Sequence, residues 1–397
     1  MNLLRVSWRN LWHKPFSTGV SVLLMLLGVS MVSLVLQLGH QLEGQFLKNI
    51  EGVDYVVGAK GSPKQLILSS IYHIDSPTGN IDEKDADFVL NNRMVKTAIP
   101  LAFGDSYKGF KILGTTKEYL THYKTEFALG KPFEKNMQVV LGAKAALRLN
   151  LKVGDHFHGS HGMEEADDEH VHDEHAYTVV GVLAETGLAI DQLIICNIES
   201  VWQIHGHEHN ANGAESSKEY TAILVQMSSM NYKFMFPRMV SDNTDMQAAS
   251  PSVHISNLID QMGIGIETLR LLALLIIIIS GISVFLSLLA ALKERKYELA
   301  IMRSLGAHPM QLVLLVFYES ILIALLSSTL GLLLSRGLLV FLGNYLDSNY
   351  HYSFNSFGIL NDEYWLVLLA IAIASASALV PSIMAFRINI SKTLAED

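Results

Sequence analysis

Two polar segments, 156–175 and 206–218, are predicted to be exposed loops and, together with His205, hold a concentration of histidines that could bind a metal ion. Neutral imidazole is a good ligand for zinc, copper or nickel, and three or four such ligands can complete a site. Neighbouring Asp and Glu side chains raise the local concentration of cations. No zinc-finger spacing is present, so a solvated acidic insertion or a pH-responsive loop fits the same pattern. The candidate zinc ligands are His161, His170, His172, His175, His205, His207 and His209.

The rest of the chain offers little catalytic chemistry. The sequence contains no G-x-x-x-x-G-K-[ST] phosphate-binding loop, and the glycine-rich segment 58–62 lacks that spacing. No nucleophile can be paired with a base from its position in the sequence. The single cysteine, Cys196, cannot form an intrachain disulfide. We therefore expect that this chain is not itself an enzyme.

Long apolar stretches make up much of the rest of the chain, and they must form the elements that position the polar segments. Of 397 residues, 50% are hydrophobic and only 17% are charged. A membrane-spanning helix needs about 20 mostly apolar residues. We predict an interfacial helix at 1–16, spans at 17–38, 269–292, 311–340 and 365–386, an external loop at 341–364 and internal segments at 293–310 and 387–397.

The third predicted span contains one acidic residue, Glu319. A carboxylate within the bilayer is costly unless it faces the interior of the helix bundle or lies near an end of the span. One carboxylate alone makes a poor proton pathway. We therefore expect Glu319 to hydrogen-bond to a neighbouring span or to a dimer mate.

The placement of Lys and Arg predicts the orientation, because short basic flanks resist translocation. Arg5, Arg9 and Lys14 precede the first span, and further basic residues lie in the segments 293–310 and 387–397. Both termini are therefore predicted to be cytoplasmic. The first span has a basic leader, but its apolar region is too long for a cleaved signal peptide and no A-x-A-like site follows it. We expect an anchor.

The segment 39–268 is predicted to be a large external α+β domain. Its apolar, β-branched runs are typical of buried strands, and its other short elements follow helix and turn patterns. Residues 250–265 are expected to form a helix continuous with the second span. The predicted strands are 53–57, 139–141, 177–183, 192–196 and 221–227, the helices are 82–91 and 143–149, and a turn follows at 152–155.

Residues 3–13 are predicted to form a helix at the cytoplasmic membrane surface. Helical spacing puts Leu4, Trp8, Leu11 and Trp12 on one face, with two arginines beside it. Tryptophan and basic side chains suit the lipid–water interface. An ordinary basic flank of the first span is the alternative.

A short basic amphipathic segment between the second and third spans is the most informative motif. Leu299, Met302 and Leu305 form an apolar stripe at helical spacing, which predicts a lever on which a cytoplasmic protein acts. A solvated basic flank is the alternative, but flank charge alone would not require small residues such as Ala300. The residues predicted to couple to the partner are Glu298, Leu299, Ala300, Met302, Arg303, Gly306 and Ala307.

These residues resemble those of the FtsX-like permease family of ABC-transporter membrane subunits, which includes the MacB and LolC/LolE types. The family pattern E-x-A-x-x-R-x-x-G-A begins here at Glu298, and the Glu-Ser pair at 319–320 also recurs in the family. Segments 139–142, 151–155 and 178–182 look like its periplasmic core domain. The resemblance extends over nearly the whole chain, with four spans and one large loop after the first.

The resemblance implies a permease dimer, formed with a second copy or a paralogue, that works with a separate ABC ATPase. ATP and magnesium would bind that partner, since the chain lacks a phosphate-binding loop, and the ATPase would dock at 293–310. The layout is closer to LolC/LolE than to MacB, which carries its ATPase at its own amino terminus.

The implied function is a type VII, mechanotransmission ABC complex in the bacterial inner membrane. Movement of the periplasmic domain would export or extract a lipoprotein, peptide or amphiphile, with a periplasmic adaptor or lipoprotein as partner. One alternative is a signalling module that activates a periplasmic partner such as a cell-wall hydrolase. Another is a zinc-linked transport or metal-handling complex. Membrane lipid is an expected partner, and nucleic acid is not.

Overall fold

Long helices occupy both ends of the chain and strands occupy its middle. The structure, a computed structural model, describes residues 3–12, 15–159, 176–209, 218–350 and 358–387. Its α-helices are α1 (Leu3–Leu11), α2 (Pro15–Asn49), α3 (Pro63–Ile67), α4 (Glu83–Leu90), α5 (Lys117–His122), α6 (Ala143–Leu149), α7 (Ile198–His209), α8 (Met230–Asn243), α9 (Pro251–Glu294), α10 (Lys296–Ser304), α11 (Pro309–Tyr350) and α12 (Asn361–Phe386). Its strands are β1 (Tyr55–Ala59), β2 (Ile81–Asp82), β3 (Val95–Tyr107), β4 (Phe110–Thr115), β5 (Phe127–Gly130), β6 (Gln138–Leu141), β7 (His156–Phe157), β8 (Tyr177–Leu183), β9 (Ile194–Asn197), β10 (Glu219–Tyr220), β11 (Ala222–Met227) and β12 (Met246–Ala249).

Four of the described helices are long and apolar enough to cross a membrane: α2, α9, α11 and α12. The fold class predicted from the sequence is therefore confirmed. The helices run beyond the predicted spans, however. α11 continues to Tyr350, into the segment predicted as an external loop, because a hydropathy pattern marks only the apolar part of a helix. The remaining loop residues 351–357 and the tail 388–397 lie outside the described residues.

The chain divides into two units. The membrane unit comprises Met1–Leu42 and Asp260–Asp397, and the external unit comprises Glu43–Ile259. α2 and α9 each contribute residues to both units. The predicted continuity of the 250–265 helix with the second span agrees with the extent of α9.

A mixed sheet of ten strands forms the centre of the external unit, in the order β12-β1-β11-β3-β4-β9-β6-β8-β5, with β7 paired to β8. β4 pairs with β9, and β6 with β8, in parallel. The other neighbours in the sheet are antiparallel. β2 and β10 form a separate two-stranded sheet.

Successive apolar side chains of the central strands pack on opposite faces of this sheet. In β9, Ile194 and Cys196 belong to one apolar core, whereas Ile195 belongs to the other. A strand buried on both faces needs an unbroken apolar run rather than alternation. This explains why 192–196 was recognisable as a buried strand from the sequence.

Candidate functional site

The helix α10 lies between two candidate spans and contains most of the predicted coupling residues. It ends in a Schellman motif, in which Gly306 N–H donates to the carbonyl of Arg303 and Ala307 N–H donates to that of Met302. Gly306 has a φ of +96°, a left-handed conformation that favours glycine. Gly306 and Ala307 therefore terminate the helix, and a docking role is not needed to explain them.

One face of α10 is buried within the membrane unit. Leu299 and Ala300 are buried, and Met302 packs partly against the same apolar core. The sequence placed Leu299 and Met302 in a stripe that enters a partner's groove, but both face this chain's own helices. A hydrophobic pattern identifies an apolar face without identifying what covers it.

The opposite face of α10 carries a different apolar row. Tyr297, Ile301 and Leu305 follow each other at four-residue spacing and are 43%, 37% and 83% exposed. Glu298 lies beside them and is also exposed, whereas Arg303 is only half-exposed. We call Tyr297, Ile301 and Leu305 the outer stripe. Of these, the sequence pattern had singled out only Leu305.

A polar node fixes the start of α10 to two other helices. Arg295 forms an ion pair with Glu319 of α11 at 3.2 Å, and its other terminal nitrogen donates to the carbonyl of Asn10 at 2.7 Å. Asn10 of α1 donates its amide to Glu319 at 2.6 Å. The carboxylate is thus satisfied within this chain, by groups from α1 and from the residue preceding α10. These partners differ from the neighbouring span or dimer mate expected from the sequence, because the fold brings α1 and Arg295 against this end of α11.

A cavity of about 60 Å³ adjoins this node. Arg295, Glu298 and Glu319 give it a polar side, while Leu299 and Met302 belong to its apolar wall. The packing of α10 against α11 is therefore incomplete at the buried ion pair.

α2 and α9 pack as an antiparallel pair. The Ser17 and Ser287 hydroxyls lie 3.0 Å apart, and those of Ser21 and Ser283 are also separated by 3.0 Å. Further along, Gly28 is so close to Ile277 that an added Cβ would lie 2.7 Å from its Cγ1. Small residues at such positions allow helices to approach closely in a membrane. These contacts bring the two helices close together at three positions.

The external unit holds the ends of the same two helices firmly. Tyr72 donates its hydroxyl to the carbonyl of Phe46 at 2.8 Å, and Ala189 N–H donates to the side-chain carbonyl of Asn49 at 2.9 Å. Ile255, near the start of α9, is fully buried in an apolar core of this unit. Residues 43–49 and 255–259 are therefore integral parts of the external unit.

Four of the seven predicted zinc ligands lie in the sequence between β7 and β8. His161, His170, His172 and His175 lie outside the described residues. The segment 206–218 was expected to be a loop, but α7 extends through His209. Helical geometry separates His205 and His209 by about one turn and offsets His207 by about half a turn. Among the described residues, no group of three or more His, Cys, Asp or Glu is arranged to hold a metal.

The external unit also contains a buried histidine that the sequence analysis did not single out. His73 has a left-handed φ of 57° and contacts the Tyr119 hydroxyl through Nε2 at 3.1 Å. Burial, assisted by the charge of Lys111, lowers the pKa of His73 to about 3. The imidazole is therefore neutral at ordinary pH, and its role is to pack and hydrogen-bond.

Two family descriptions match the chain. The MacB-like periplasmic core domain matches residues 18–249, more than half of the chain, and the FtsX-like permease C-terminal region matches residues 270–390. The chain belongs to the MacB/FtsX-like family of ABC transporter permeases. Members of this family are membrane subunits that work with an ABC ATPase and often form dimers. The predicted family is thereby confirmed.

Solved structures of related external domains are similar to part of this MacB/FtsX-like permease. The extracellular domain of the noncanonic ABC-type transporter YknZ from Gram-positive bacteria is 15% identical, with a TM-score of 0.33, covering 49% of this chain and 99% of that one. The periplasmic region of MacB from Actinobacillus actinomycetemcomitans is 14% identical, with a TM-score of 0.35, covering 54% and 97%. No curated protein matches the chain.

Proposed function

We propose that this permease is the membrane subunit of a type VII, mechanotransmission ABC complex, and that a separate ATPase docks on the outer stripe of α10. The observation that carries the proposal is the exposure of Tyr297, Ile301 and Leu305 on one helical face. Apolar anchors at this spacing are typical of a helix that inserts into a partner's groove. Glu298 lies beside them and is positioned for a charge-assisted hydrogen bond across the interface.

Movement of α10 would pass into the membrane unit through the polar node. Arg295, immediately before α10, is bonded to Glu319 of α11 and to Asn10 of α1. α9 leads directly into this segment and packs along α2. Both α2 and α9 continue into the external unit. Movement caused by closure of the ATP-bound partner subunits would therefore be transmitted outward along these two continuous helices.

The proposed compartments follow from the charges that flank the spans. Lys293, Arg295, Lys296 and Arg303 cluster around α10, which favours a cytoplasmic position for this helix and for both termini. The external unit is then periplasmic, in a bacterial inner membrane. ATP and magnesium bind the partner in this arrangement.

The external unit would act on its client without a conventional solute channel. Among the described residues, the interior of the membrane unit is filled mainly by Ala, Val, Leu and Ile side chains, with scattered serines. Export or extraction of a lipoprotein, peptide or amphiphile is the function we favour. Activation of a periplasmic partner such as a cell-wall hydrolase would use the same mechanics, and the proteins that copurify with this permease distinguish the two.

The test is stimulation of the copurifying ATPase by the permease in lipid nanodiscs. Ile301→Asp and Leu305→Asp place a charge in the outer stripe, so each should reduce complex formation and stimulated ATP hydrolysis at least about tenfold. Met310→Asp adds the same charge at an exposed apolar side chain of α11, outside the stripe, and should retain most of the stimulation. Equal activity in all three variants would exclude docking on this face.

A further inference from the structure

The exposed face of α1 carries a row of large apolar side chains. Leu4 and Trp8 are 53% and 44% exposed and, at four-residue spacing within α1, share one helical face. Trp12 directly follows α1 and is 69% exposed, and Phe16 in α2 is also exposed. Tryptophan is enriched where one end of the ring can be apolar and the other wet. This face fits the boundary between lipid headgroups and acyl chains.

Two arginines adjoin this aromatic row. Arg5 and Arg9 are exposed, and neither forms an ion pair with a carboxylate among the described residues. Guanidinium groups bind phosphate oxygens with two parallel hydrogen bonds. The combination of interfacial tryptophans with two available cations is complementary to an anionic phospholipid surface. Because α1 leads directly into the span α2, a leaflet surface is the surface that this face meets.

The opposite face of α1 is bonded to the machinery described above. Ser7 is fully buried, and its hydroxyl donates to the carbonyl of Leu315 in α11 at 3.2 Å. Asn10 contributes both its amide and its backbone carbonyl to the node with Glu319 and Arg295. A change in the position of α1 would therefore displace Arg295, the residue immediately before α10.

We propose that α1 is a receptor for anionic phospholipid headgroups, and that their binding to Arg5 and Arg9 steadies α10 through Asn10 and Arg295. The inference goes beyond the proposed function, since it assigns a ligand to a different helix and requires no ATPase. The lipid composition of the leaflet would then determine how stably α10, and with it the outer stripe, is held in place.

Lipid selectivity can be measured through the tryptophans themselves. In a Trp202→Phe, Trp365→Phe background, Trp8 and Trp12 are the remaining tryptophans. In nanodiscs, brominated phosphatidylglycerol should quench their fluorescence more than brominated phosphatidylcholine at equal mole fraction. Each arginine should contribute about a fivefold preference, so Arg5→Gln/Arg9→Gln should quench equally with both lipids. Equal quenching in the parent protein would show no preference for anionic headgroups, and weak quenching by either lipid would mean that protein or water covers this face. Either result would overturn the proposal.

Transmission to α10 is tested by hydrogen exchange of residues 296–304 in the same nanodiscs. Exchange should be at least about threefold slower with phosphatidylglycerol than with phosphatidylcholine alone, a difference that reflects a more stable helix. Arg295→Met, which removes the bonds from the guanidinium to the carbonyl of Asn10 and to Glu319, should keep the selective quenching and lose the lipid dependence of exchange. Inorganic phosphate added to phosphatidylcholine nanodiscs should reproduce neither effect. If the parent protein shows the same exchange in both lipids, or if phosphate alone slows it, the proposed mechanism is wrong.

Discussion

Arg336 of α11 donates a hydrogen bond of 2.6 Å to the carboxylate of Glu363 in α12. Glu363 is 3% exposed and also accepts from Ser33 of α2 at 2.6 Å and from Gln37 at 3.3 Å. This carboxylate joins three of the four candidate spans. Arg336 and Glu319 lie far apart along α11, so the two buried ion pairs join helices of the membrane unit at two separate positions.

Removing the charge of Glu363 should destabilise the membrane unit. Glu363→Gln leaves Arg336 buried without a counterion, and breaking one side of a buried pair costs about 3–5 kcal/mol. We expect a lower midpoint of thermal unfolding in mild detergent. Replacing both partners, as in Arg336→Met/Glu363→Gln, should recover part of the loss because no buried charge remains. A double variant less stable than Glu363→Gln alone would contradict this account.

Close approach of α2 and α9 should depend on Gly28. A side chain there would meet Ile277, whereas Gly19 on the same helix has nothing within 4 Å of an added Cβ. Overpacking of this kind costs about 1–3 kcal/mol. A Ser21→Cys/Ser283→Cys pair should therefore form a disulfide readily in the parent chain and with Gly19→Leu, but poorly with Gly28→Leu. Equal cross-linking yields in the two leucine variants would refute the packing described here.

His73 should make the external unit less stable in acid. Its pKa is about 3 in the folded state, below the ordinary value of 6.5, so between these values the unfolded chain binds a proton that the folded chain does not. Stability is then lost as the pH falls below 6.5, at up to about 1.4 kcal/mol per pH unit. Hydrogen exchange of β4 in the full chain, compared between the parent and His73→Gln, should show a weaker acid dependence in the variant. Identical pH profiles would remove His73 as the cause.

The histidine-rich segments carry a separate prediction. Isothermal titration of the full chain with zinc should show binding that is weakened by joint replacement of His170, His172 and His175 with alanine, since imidazole supplies the ligands. Competition by protons should weaken it further below pH 6.5. Binding no tighter than high micromolar, or binding unaffected by the replacement, would end the metal hypothesis.

The sequence by itself determined the apolar part of each span, five of the strands and the family. Spans follow from the composition of about 20 consecutive residues, and buried strands such as β9 follow from a short apolar run, so both are local properties of the chain. α6 and β8 have the predicted bounds. The end of α10 at Gly306 is also a local property of the sequence, because a glycine in the left-handed conformation terminates a helix.

Only the tertiary structure decided which face of α10 is covered and which charges are paired. Leu299 and Ile301 are both apolar and two residues apart, and their different exposure depends on helices far away in the sequence. Arg336 and Glu363 likewise looked like unrelated charges near the ends of two spans. Periodicity specifies that a face is apolar, whereas burial and ion pairing depend on which distant surfaces the fold brings against it.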